Sequence, residues 1–408
     1  MKIIYFAEHF GVPKNTSGGD RPYQQPKRLV ERGHSVTVVC GGGLNSVPGL
    51  NKNKNNTYSG MVDGIKVIQI PTPYSNSDGL FKRAKTFLKF SLKASRIALK
   101  EDYDLLFATS TPLTDGLPGI MAKWFRKKKF VFEIRDLWPE LPKALGLKNP
   151  ILLWGMSVLE KRSYHAADAC VGLSPGICEG IRRRSQKGKR IVMIPNSCDR
   201  SMFEVQRSKE YKIQGVSDSD VVAMFAGAHG MANGLHAILD AASILKEKGN
   251  NNVKIVFLGN GKVKQELIER AQRDKLDNCI FLDSVPKSEM PQIMSRADIG
   301  LMVLANIPAF YYGTSPNKFF DYISAALPVI NNYPGWIADM INENKCGIAI
   351  EPENPVAFAE AIEKLASNSD MRAEYGANGR VLAKKEFDRE MLLDKFVDFI
   401  EDIAKEEK

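Results

Sequence analysis

The chain has 408 residues, of which 44% are hydrophobic and 25% charged, and it carries a formal net charge of +10. This length predicts two domains of about 200 residues each, and the composition excludes a low-complexity or disordered chain. No apolar run reaches the roughly 18 residues needed to span a bilayer, and the apolar start of the chain meets Glu8 too early for a signal peptide.

The positive charge is concentrated in the first half. Residues 1–200 carry 33 Lys and Arg against 16 Asp and Glu, a net +17, whereas the remainder carries a net −7. This asymmetry indicates that one domain faces an anionic partner, either nucleic acid or a membrane surface. The six cysteines lie far apart, with no C-x-x-C pair, which predicts reduced, buried thiols in a cytoplasmic protein.

Short apolar runs alternate with helical patterns, which predicts an α/β fold with a doubly wound parallel sheet in each half. The strands expected in the first half are 3–6, 35–39, 66–70, 105–108, 130–134, 169–172 and 190–194. Those expected in the second are 221–225, 253–258, 280–282, 299–303, 328–330 and 347–350. The predicted domains are 1–197 and 198–386, with a C-terminal helix over 387–408 that could pack back on the first.

Ligands of open α/β sheets bind beyond the carboxyl ends of strands, so the loops that follow strands are the candidate sites. Gly18 and Gly19 follow the first strand and precede a helix, where backbone amides could approach an anion. A flexible loop capped by Asp20 is the alternative at this position.

A basic helical stripe comes next along the chain. Residues 81–100 contain no acid, and six cations recur there at spacings of three and four residues beside apolar positions: Lys82, Lys85, Lys89, Lys93, Arg96 and Lys100. This pattern is typical of a helix that lies on a membrane surface, although an ordinary solvated helix face is the alternative. Nucleic acid is disfavoured because the stripe has none of the motifs of a nucleic-acid reader.

Arg135, Asp136 and Glu140 follow the strand 130–134, together with a tryptophan. Carboxylates and a guanidinium at the end of a strand could orient a polar substrate and transfer a proton, so these three are the candidate catalytic residues. The alternative is structural, with Arg135 paired to a carboxylate and Trp138-Pro139 fixing the next helix.

Two candidate phosphate-binding segments lie in the second half. Gly227 and Gly230 follow its first strand, where backbone amides could hold a diphosphate. Further on, Ser315 is expected to cap a helix that begins at Pro316, where free amides and Lys318 would bind a phosphate and Asp321 would accept from sugar hydroxyls of the same ligand. An ordinary capped helix with a solvent-facing lysine and acid is the alternative. The residues assigned to this second segment are Ser315, Asn317, Lys318 and Asp321.

Metal sites are not expected. The two D-x-D triplets, Asp102-x-Asp104 and Asp218-x-Asp220, precede strands and are interpreted as turns. No zinc or P-loop spacing is present.

These segments together resemble glycosyltransferase family 4, a GT-B-fold family, and within it the enzymes that build bacterial O-antigen, capsule and exopolysaccharide. The resemblance covers nearly the whole chain through 17–19, 135–140, 194–196, 227–234, 258–261 and 315–330. It implies two Rossmann-like domains facing a cleft, the first binding an acceptor and the second a nucleotide sugar. It also implies retention of anomeric configuration, with no cofactor and no essential metal.

Three positions depart from the family pattern. Asp321 matches the second glutamate of the E-x7-E motif, which typically holds the ribose, but Gly313 stands where the first glutamate would be. Ala228 and Asn233 stand where the family usually has a basic pair. Lys318 and the helix amides are therefore expected to carry more of the diphosphate charge.

The resulting hypothesis is a hexosyl- or N-acetylhexosaminyltransferase that uses a nucleotide sugar, with a UDP-sugar as the expected donor. Its acceptor would be a polyprenyl-diphosphate-linked sugar at the anionic inner face of the cytoplasmic membrane, where the enzyme would be peripheral. No nucleic-acid partner is expected. A nucleotide-sugar 2-epimerase of similar fold and a non-catalytic, membrane-associated partner of a transferase remain the alternatives.

Overall fold

A computed structural model describes residues 1–13, 20–42, 47–73, 79–203, 210–250 and 252–406. It divides into two compact units, each with its own sheet. The first comprises Met1–Pro195, Gly313–Ser315 and Glu390–Lys408, and the second comprises Asn196–Tyr312 and Pro316–Arg389.

The first unit is built on a nine-stranded sheet. Its strands are β1 (Lys2–Ala7), β2 (Ser35–Cys40), β3 (Asn51–Lys52), β4 (Tyr58–Val62), β5 (Ile65–Gln69), β6 (Leu105–Thr109), β7 (Lys129–Ile134), β8 (Ala169–Gly172) and β9 (Arg190–Met193). They lie in the order β3-β4-β5-β2-β1-β6-β7-β8-β9. The central strands β1 and β6 are continuous apolar runs because both of their faces are covered by helices.

One edge of this sheet departs from the sequence prediction. The strands β3 and β4 were not predicted, and both β3–β4 and β4–β5 pair antiparallel, whereas the rest of the sheet is parallel. Both are short, and neither has a buried residue. An edge pair of this kind has no apolar periodicity to reveal it.

Helices cover both faces of the first sheet. They are α1 (Arg21–Glu31), α2 (Leu80–Lys100), α3 (Gly116–Arg126), α4 (Glu140–Ala144), α5 (Pro150–Ala166), α6 (Pro175–Arg184) and the last helix of the chain, which is numbered below. A 3-10 turn, Leu113–Asp115, precedes α3. The helix α2 packs against α3, and α3 packs against α5.

The second unit has a six-stranded, fully parallel sheet. Its strands are β10 (Val221–Ala226), β11 (Val253–Leu258), β12 (Cys279–Leu282), β13 (Ile299–Met302), β14 (Val329–Asn331) and β15 (Gly347–Ala349), in the order β12-β11-β10-β13-β14-β15. Its helices are α7 (His236–Glu247), α8 (Lys264–Arg273), α9 (Met290–Ser295), α10 (Pro308–Tyr311), α11 (Asn317–Ser324), α12 (Trp336–Asn344), α13 (Pro355–Ser367) and α14 (Ser369–Glu386). The reversal of strand order beside β10 places a ligand crevice at the carboxyl end of that strand.

The C-terminal helix α15 (Arg389–Lys405) belongs almost entirely to the first unit. Phe396 is fully buried there, with its ring edge-on to Phe107 of β6 at 5.2 Å between centroids. Arg28 of α1 donates to both carboxylate oxygens of Asp394 at 3.0 Å. The helix therefore completes the layer that covers the sheet beside α1.

No helix within the described ranges is long and apolar enough to cross a membrane. All six cysteines are free thiols, and every one except Cys279 is buried.

Candidate functional site

The glycine-containing loop after β10 is held against the loop after β11 by backbone contacts. The amide of Gly227 donates to the carbonyl of Leu258, and that of His229 donates to the carbonyl of Asn260, both at 2.9 Å. A Cβ on Gly259, whose φ is +144°, would lie 1.9 Å from the carbonyl oxygen of Gly227. The two loops can approach this closely only because Gly259 has no side chain.

Lys318, at the start of α11, lies against this loop. Its Cε is 3.2 Å from the place where Gly227 would carry a Cβ, and its Nζ is 4.5 Å from the centroid of the Phe225 ring. The ammonium donates to Oδ1 of Asn233 at 2.6 Å. Burial lowers the pKa of Lys318 to about 7. The structure therefore brings together Gly227 and Lys318, which are 91 positions apart in the sequence.

Asn233 has a role that the sequence did not reveal. The resemblance noted above implies a basic residue at this position. The amide nitrogen of Asn233 donates to the carbonyl of Ala228 at 2.7 Å, and its amide oxygen accepts from Nζ of Lys318. The side chain thus spans the glycine loop and orients the lysine. A neutral amide in this position leaves the positive charge of Lys318 available to an anion.

The helix α11 is fixed under the loop by Tyr322. Its hydroxyl accepts a hydrogen bond from the amide of Ala226 at 2.9 Å and lies 3.2 Å from the carbonyl of Met224. The ring packs so closely on Gly300 of β13 that a Cβ there would lie 2.6 Å from it. Tyr322 therefore holds the first turn of α11, and with it Lys318, at the carboxyl ends of the strands.

The expected cap of α11 is wrong in one respect. The helix begins at Asn317, and Pro316 occupies the N-cap position with an extended backbone and no side-chain cap. The ψ of 122° at Pro316 keeps Pro316 itself out of the helix. Ser315 therefore lies one residue before the N-cap. Asn317, the first helical residue, is exposed.

Asp321 is buried and bound within the protein. Its carboxylate accepts from Nζ of Lys287 at 2.5 Å, and both side chains are about one-tenth exposed. The lysine ammonium also lies 5.3 Å from the ring of Phe203. A ribose hydroxyl would share this carboxylate with Lys287, which the sequence did not single out because it lies 34 residues away on a 3-10 turn.

His229 lies beneath Gly230 with its ring fully buried between Phe225 and Phe257. Neither ring nitrogen has a hydrogen-bond partner among the described residues. Burial, reinforced by the charges of Lys264 and Lys318, lowers the pKa of His229 to about 4. The imidazole is therefore neutral at physiological pH.

In the first unit, Arg135 and Asp136 follow β7 beside the end of β6. The amide of Arg135 donates to Oγ of Ser110 at 2.9 Å, and Oγ1 of Thr111 lies 3.4 Å from the Asp136 carboxylate. Burial raises the pKa of Asp136, and the nearby Arg135 guanidinium opposes that rise. These two candidate residues thus form one polar corner at the carboxyl edge of the sheet.

Glu140 is not part of that corner. It is the first residue of α4, and its carboxylate forms an ion pair with Arg184 of α6, which also pairs with the buried Glu160. The ion pair with Arg184 engages Oε1 of Glu140, whereas Oε2 is buried with no partner in the described part of the chain. The catalytic role of Glu140 stays a prediction.

The carboxyl edge of the first sheet also holds two buried carboxyl groups that the sequence analysis missed. Glu8 follows β1, and its amide donates to Oδ2 of Asp115 at 2.9 Å; one oxygen of each carboxyl group is buried with no partner in the described part of the chain. Burial, with a smaller effect of Asp115, raises the pKa of Glu8 to about 9. A carboxyl group next to a strand end was visible in the sequence, but its proximity to Asp115 was not.

His9 shares this edge. Burial, followed by the charges of Arg135 and then Arg83, lowers the pKa of its imidazole to about 4. The ring lies 6.3 Å from that of Phe87, over which Arg83 is placed at 5.8 Å. Cationic groups of α2 and of the loop after β7 therefore act on the same imidazole.

Of the remaining predicted residues, Gly18 and Gly19 fall outside the described residues. The cations of the stripe on α2 lie on its outward side: Lys82, Lys85, Lys89, Arg96 and Lys100 are exposed and Lys93 is half-buried. Within the described ranges, no group of three or more His, Cys, Asp or Glu side chains is arranged to hold a metal ion.

Two family models match the chain, one in each half. The model described as "Glycosyl transferase 4-like domain" matches residues 21–197, and "Glycosyl transferases group 1" matches residues 206–382. Together they span most of both units.

Curated relatives match at low identity over most of their length. The chain is 24% identical to O-antigen chain mannosyltransferase C of Escherichia coli over 78% of this chain and 80% of the relative. It is 22% identical to the probable glycosyltransferase WbjE of Pseudomonas aeruginosa, over 82% and 84%. It is 21% identical to the capsular polysaccharide biosynthesis glycosyltransferase CapM of Staphylococcus aureus, over 82% and 85%.

Solved structures share the fold along the entire chain. Sucrose-phosphate synthase from Thermosynechococcus elongatus superimposes with a TM-score of 0.74 at 15% identity, covering 98% of both chains. Anabaena HepE in complex with UDP-glucose gives 0.68 at 14% identity, covering 98% of this chain and 100% of that one. The fold is GT-B, and the chain belongs to glycosyltransferase family 4, in the group that includes transferases for bacterial O-antigen and capsule.

Proposed function

We propose that this enzyme transfers a hexosyl or N-acetylhexosaminyl group from a UDP-sugar to a polyprenyl-diphosphate-linked sugar during synthesis of a bacterial surface polysaccharide. The observation that carries the proposal is the position of Lys318. Its ammonium lies against Gly227 at the carboxyl end of β10, and its hydrogen-bond partner is a neutral amide. A half-buried ammonium at the start of a helix, whose hydrogen-bond partner is a neutral amide, is suited to a diphosphate.

The donor would lie along the carboxyl edge of the second sheet. Its diphosphate would contact Lys318, the loop Gly227–Gly230 and the first amides of α11, while Asp321 would receive a ribose hydroxyl. A Cβ at position 227 would lie 3.2 Å from Cε of Lys318. Because Gly227 has no side chain, the space beside the lysine would be open to the phosphates. Uridine is proposed as the nucleoside because HepE, which has the same fold, is seen with UDP and with UDP-glucose.

The chemistry needs charge stabilisation more than a protein base. In a reaction that retains configuration, the bond from the anomeric carbon to the diphosphate breaks, and the acceptor hydroxyl bonds to the same face of that carbon. The hydroxyl proton passes to the departing diphosphate oxygen. Lys318 and the α11 amides would stabilise the negative charge that develops on this leaving group.

In this assignment the positive charge that stabilises the leaving group comes from the protein itself, so we propose that no metal is essential. Turnover should then survive an excess of EDTA. Loss of activity in EDTA that is restored by a divalent cation would contradict this part of the proposal.

The acceptor would bind to the first unit, where Arg135 and Asp136 lie at the end of β7. A half-buried guanidinium beside a carboxyl group could orient sugar hydroxyls. Lipid-linked acceptors reside in a bilayer, and the exposed cations of α2 support an enzyme that works at the inner face of the cytoplasmic membrane.

The proposal is tested by incubating the purified protein with a panel of nucleotide sugars, with and without a short-chain polyprenyl-diphosphate-linked sugar. Release of UDP that depends on the acceptor, together with a lengthened glycolipid, is expected. The Lys318→Ala variant should lose most of this turnover, whereas Lys248→Ala, which removes an exposed lysine of the second unit paired with Glu363, should retain it. Isomerised nucleotide sugar without acceptor would instead reveal an epimerase, and inertness across the panel would refute transfer.

A further inference from the structure

Large apolar side chains are exposed on three neighbouring helices of the first unit. Trp124 and Phe125 of α3 are 54% and 68% exposed, and Ile151 and Trp154 of α5 are 79% and 69% exposed. On α2, Leu88 and Leu92 are also exposed, between the lysines of the basic stripe. Exposed aromatic rings in such number mark an interaction surface rather than ordinary scatter.

These side chains belong to one continuous layer. The helix α3 lies between α2 and α5 and packs against both. Arg126, at the end of α3, donates to the carbonyls of Ala98 and Glu101 at the end of α2. The guanidinium of Arg162 on α5 lies 5.9 Å from the ring centroid of Trp124. The outward side chains of α2, α3 and α5 are called the outer helix face below.

The charge of the outer helix face has a single sign. The three helices contain one acidic residue, Glu160, and it is fully buried in its ion pair with Arg184. Their exposed cations are Lys82, Lys85, Lys89, Arg96, Lys100, Lys161 and Arg162, and Lys127 follows directly after α3. Within the three helices, indole and phenyl rings are therefore interleaved with cations and with no exposed carboxylate. Glu101 and the exposed Asp102 follow directly after α2, where they pair with Lys66 and Lys2.

This combination fits an anionic lipid surface better than a protein. Tryptophan is favoured at the boundary between headgroups and acyl chains, where an amphipathic ring has one wet and one apolar side. Lysine and arginine stems can cover apolar surface while their charges reach lipid phosphates. A protein partner would need acidic groups to match these eight exposed cations, five on α2, two on α5 and one just after α3.

We propose that the outer helix face docks on an anionic bilayer with Trp124, Phe125 and Trp154 inserted at the headgroup boundary. Docking then has two components, electrostatic attraction through the α2 stripe and apolar anchoring through α3 and α5. The inference rests on the proposed function only for the expectation that the acceptor is lipid-linked. A helix that binds by charge alone would be released by salt. The proposed docking resists salt, because the burial of apolar rings is not screened.

The test measures partition onto vesicles of phosphatidylcholine with phosphatidylglycerol at about 0.1 M and about 1 M salt. The wild-type protein should bind in both. Joint replacement of Trp124, Phe125 and Trp154 by Ala should weaken partition at least about tenfold and abolish it at high salt. Replacing Lys85 and Lys89 by Gln should weaken binding mainly at low salt. Met61→Ala, an exposed apolar site on β4 outside the face, is the matched control.

Insertion itself is read from tryptophan fluorescence. The chain has four tryptophans, and the two outside the outer helix face, Trp138 and Trp336, are only partly exposed. Vesicles with brominated acyl chains should quench the wild-type protein, and Trp124→Phe with Trp154→Phe should remove that quenching. Because the replaced side chains are exposed, the thermal unfolding midpoints of the variants should match the wild type.

Partition of the triple variant equal to that of the wild type, or an absence of quenching, would overturn the proposal. So would a dimer that forms without lipid and that the triple variant disrupts, since the face would then bind a second copy of the chain. No sugar substrate is present in these vesicle measurements. If docking failed while acceptor-dependent turnover was intact, the proposed function would therefore stand. If docking occurred without such turnover, only the proposed function would be refuted.

Discussion

At the scale of single residues, the candidate site of the second unit contains a lysine that is only partly protonated near neutral pH. Burial lowers the pKa of Lys318 to about 7, so the free enzyme holds a mixture of ammonium and amine near neutrality. A bound diphosphate favours the ammonium and would raise this pKa. Donor binding should therefore be coupled to uptake of a proton.

This coupling predicts how donor affinity depends on pH. A UDP-sugar keeps a constant diphosphate charge from pH 6 to 9, so affinity should be greatest below pH 7 and fall by up to about tenfold per pH unit above it. Isothermal titration calorimetry measures this slope and the accompanying proton uptake. In Lys318→Arg the side chain stays charged, so the slope should disappear. A wild-type affinity that does not change from pH 6 to 9 would contradict the assignment.

The raised pKa of the buried Glu8 carboxyl group affects the stability of the folded protein rather than the binding of a ligand. Its pKa is about 9 in the folded protein against an ordinary value of 4.5. Between these values the folded state holds a proton that the unfolded state has lost. The contribution of Glu8 to the unfolding free energy therefore falls as pH rises from 4.5 to 9, by at most about 1.4 kcal/mol per pH unit.

Glu8→Gln should remove this dependence. The amide is neutral at every pH and can still accept the hydrogen bond from Thr72. Urea unfolding at pH 6, 7 and 8 should show a variant more stable than the wild type at pH 8, with a shallower slope across the series. Glu247→Gln, at an exposed site on α7, should leave the slope unchanged. Parallel slopes for the wild type and Glu8→Gln would show that Glu8 is ionised in the folded state.

The residues that sequence reasoning missed share one property. Lys287, Asn233 and Asp115 act through partners that are 34, 85 and 107 positions away. The spacing of residues along the sequence does not indicate contacts between positions this far apart. Lys318 and Gly227 were predicted because each lies where a strand end or a helix start supplies backbone amides, a property that local sequence does encode.

At the scale of elements, the predicted strands occur within about one residue of their expected bounds. β1 and β10 were found because buried parallel strands are almost unbroken apolar runs. β3 and β4 were missed because their residues are polar or half-exposed and their pairing depends on β5. The helix α15 was predicted by its apolar period, with packing back on the first domain as the expectation.

The role of α15 as part of the first unit can be tested by mutation. Phe396 is fully buried on α15 and contacts Phe107, so Phe396→Ala removes a large side chain from a closed core. The cost should be about 3–5 kcal/mol of unfolding free energy. Met391→Ala, at an exposed position one turn earlier, should cost less than about 1 kcal/mol. Equal thermal midpoints for the two variants would indicate that α15 does not stabilise the first unit.

At the scale of the whole molecule, the two units differ in charge as well as in fold detail. The half of the sequence with net +17 contains the outer helix face and the polar corner after β7, whereas the half with net −7 contains the half-buried Lys318 and the glycine loop. A positive first half suits an anionic surface. Under the proposed function, the negative second half could still bind a diphosphate, because Lys318 and the α11 amides would act at short range.

Under the proposed function, the second unit would hold the donor diphosphate through Lys318. The most direct test compares the affinities of UDP, UMP and uridine for the wild type and for Lys318→Ala by calorimetry at pH 6.5. The wild type should prefer UDP over uridine strongly, and Lys318→Ala should lose about 10- to 100-fold of UDP affinity while binding uridine as before. Unchanged UDP affinity in Lys318→Ala would contradict the account.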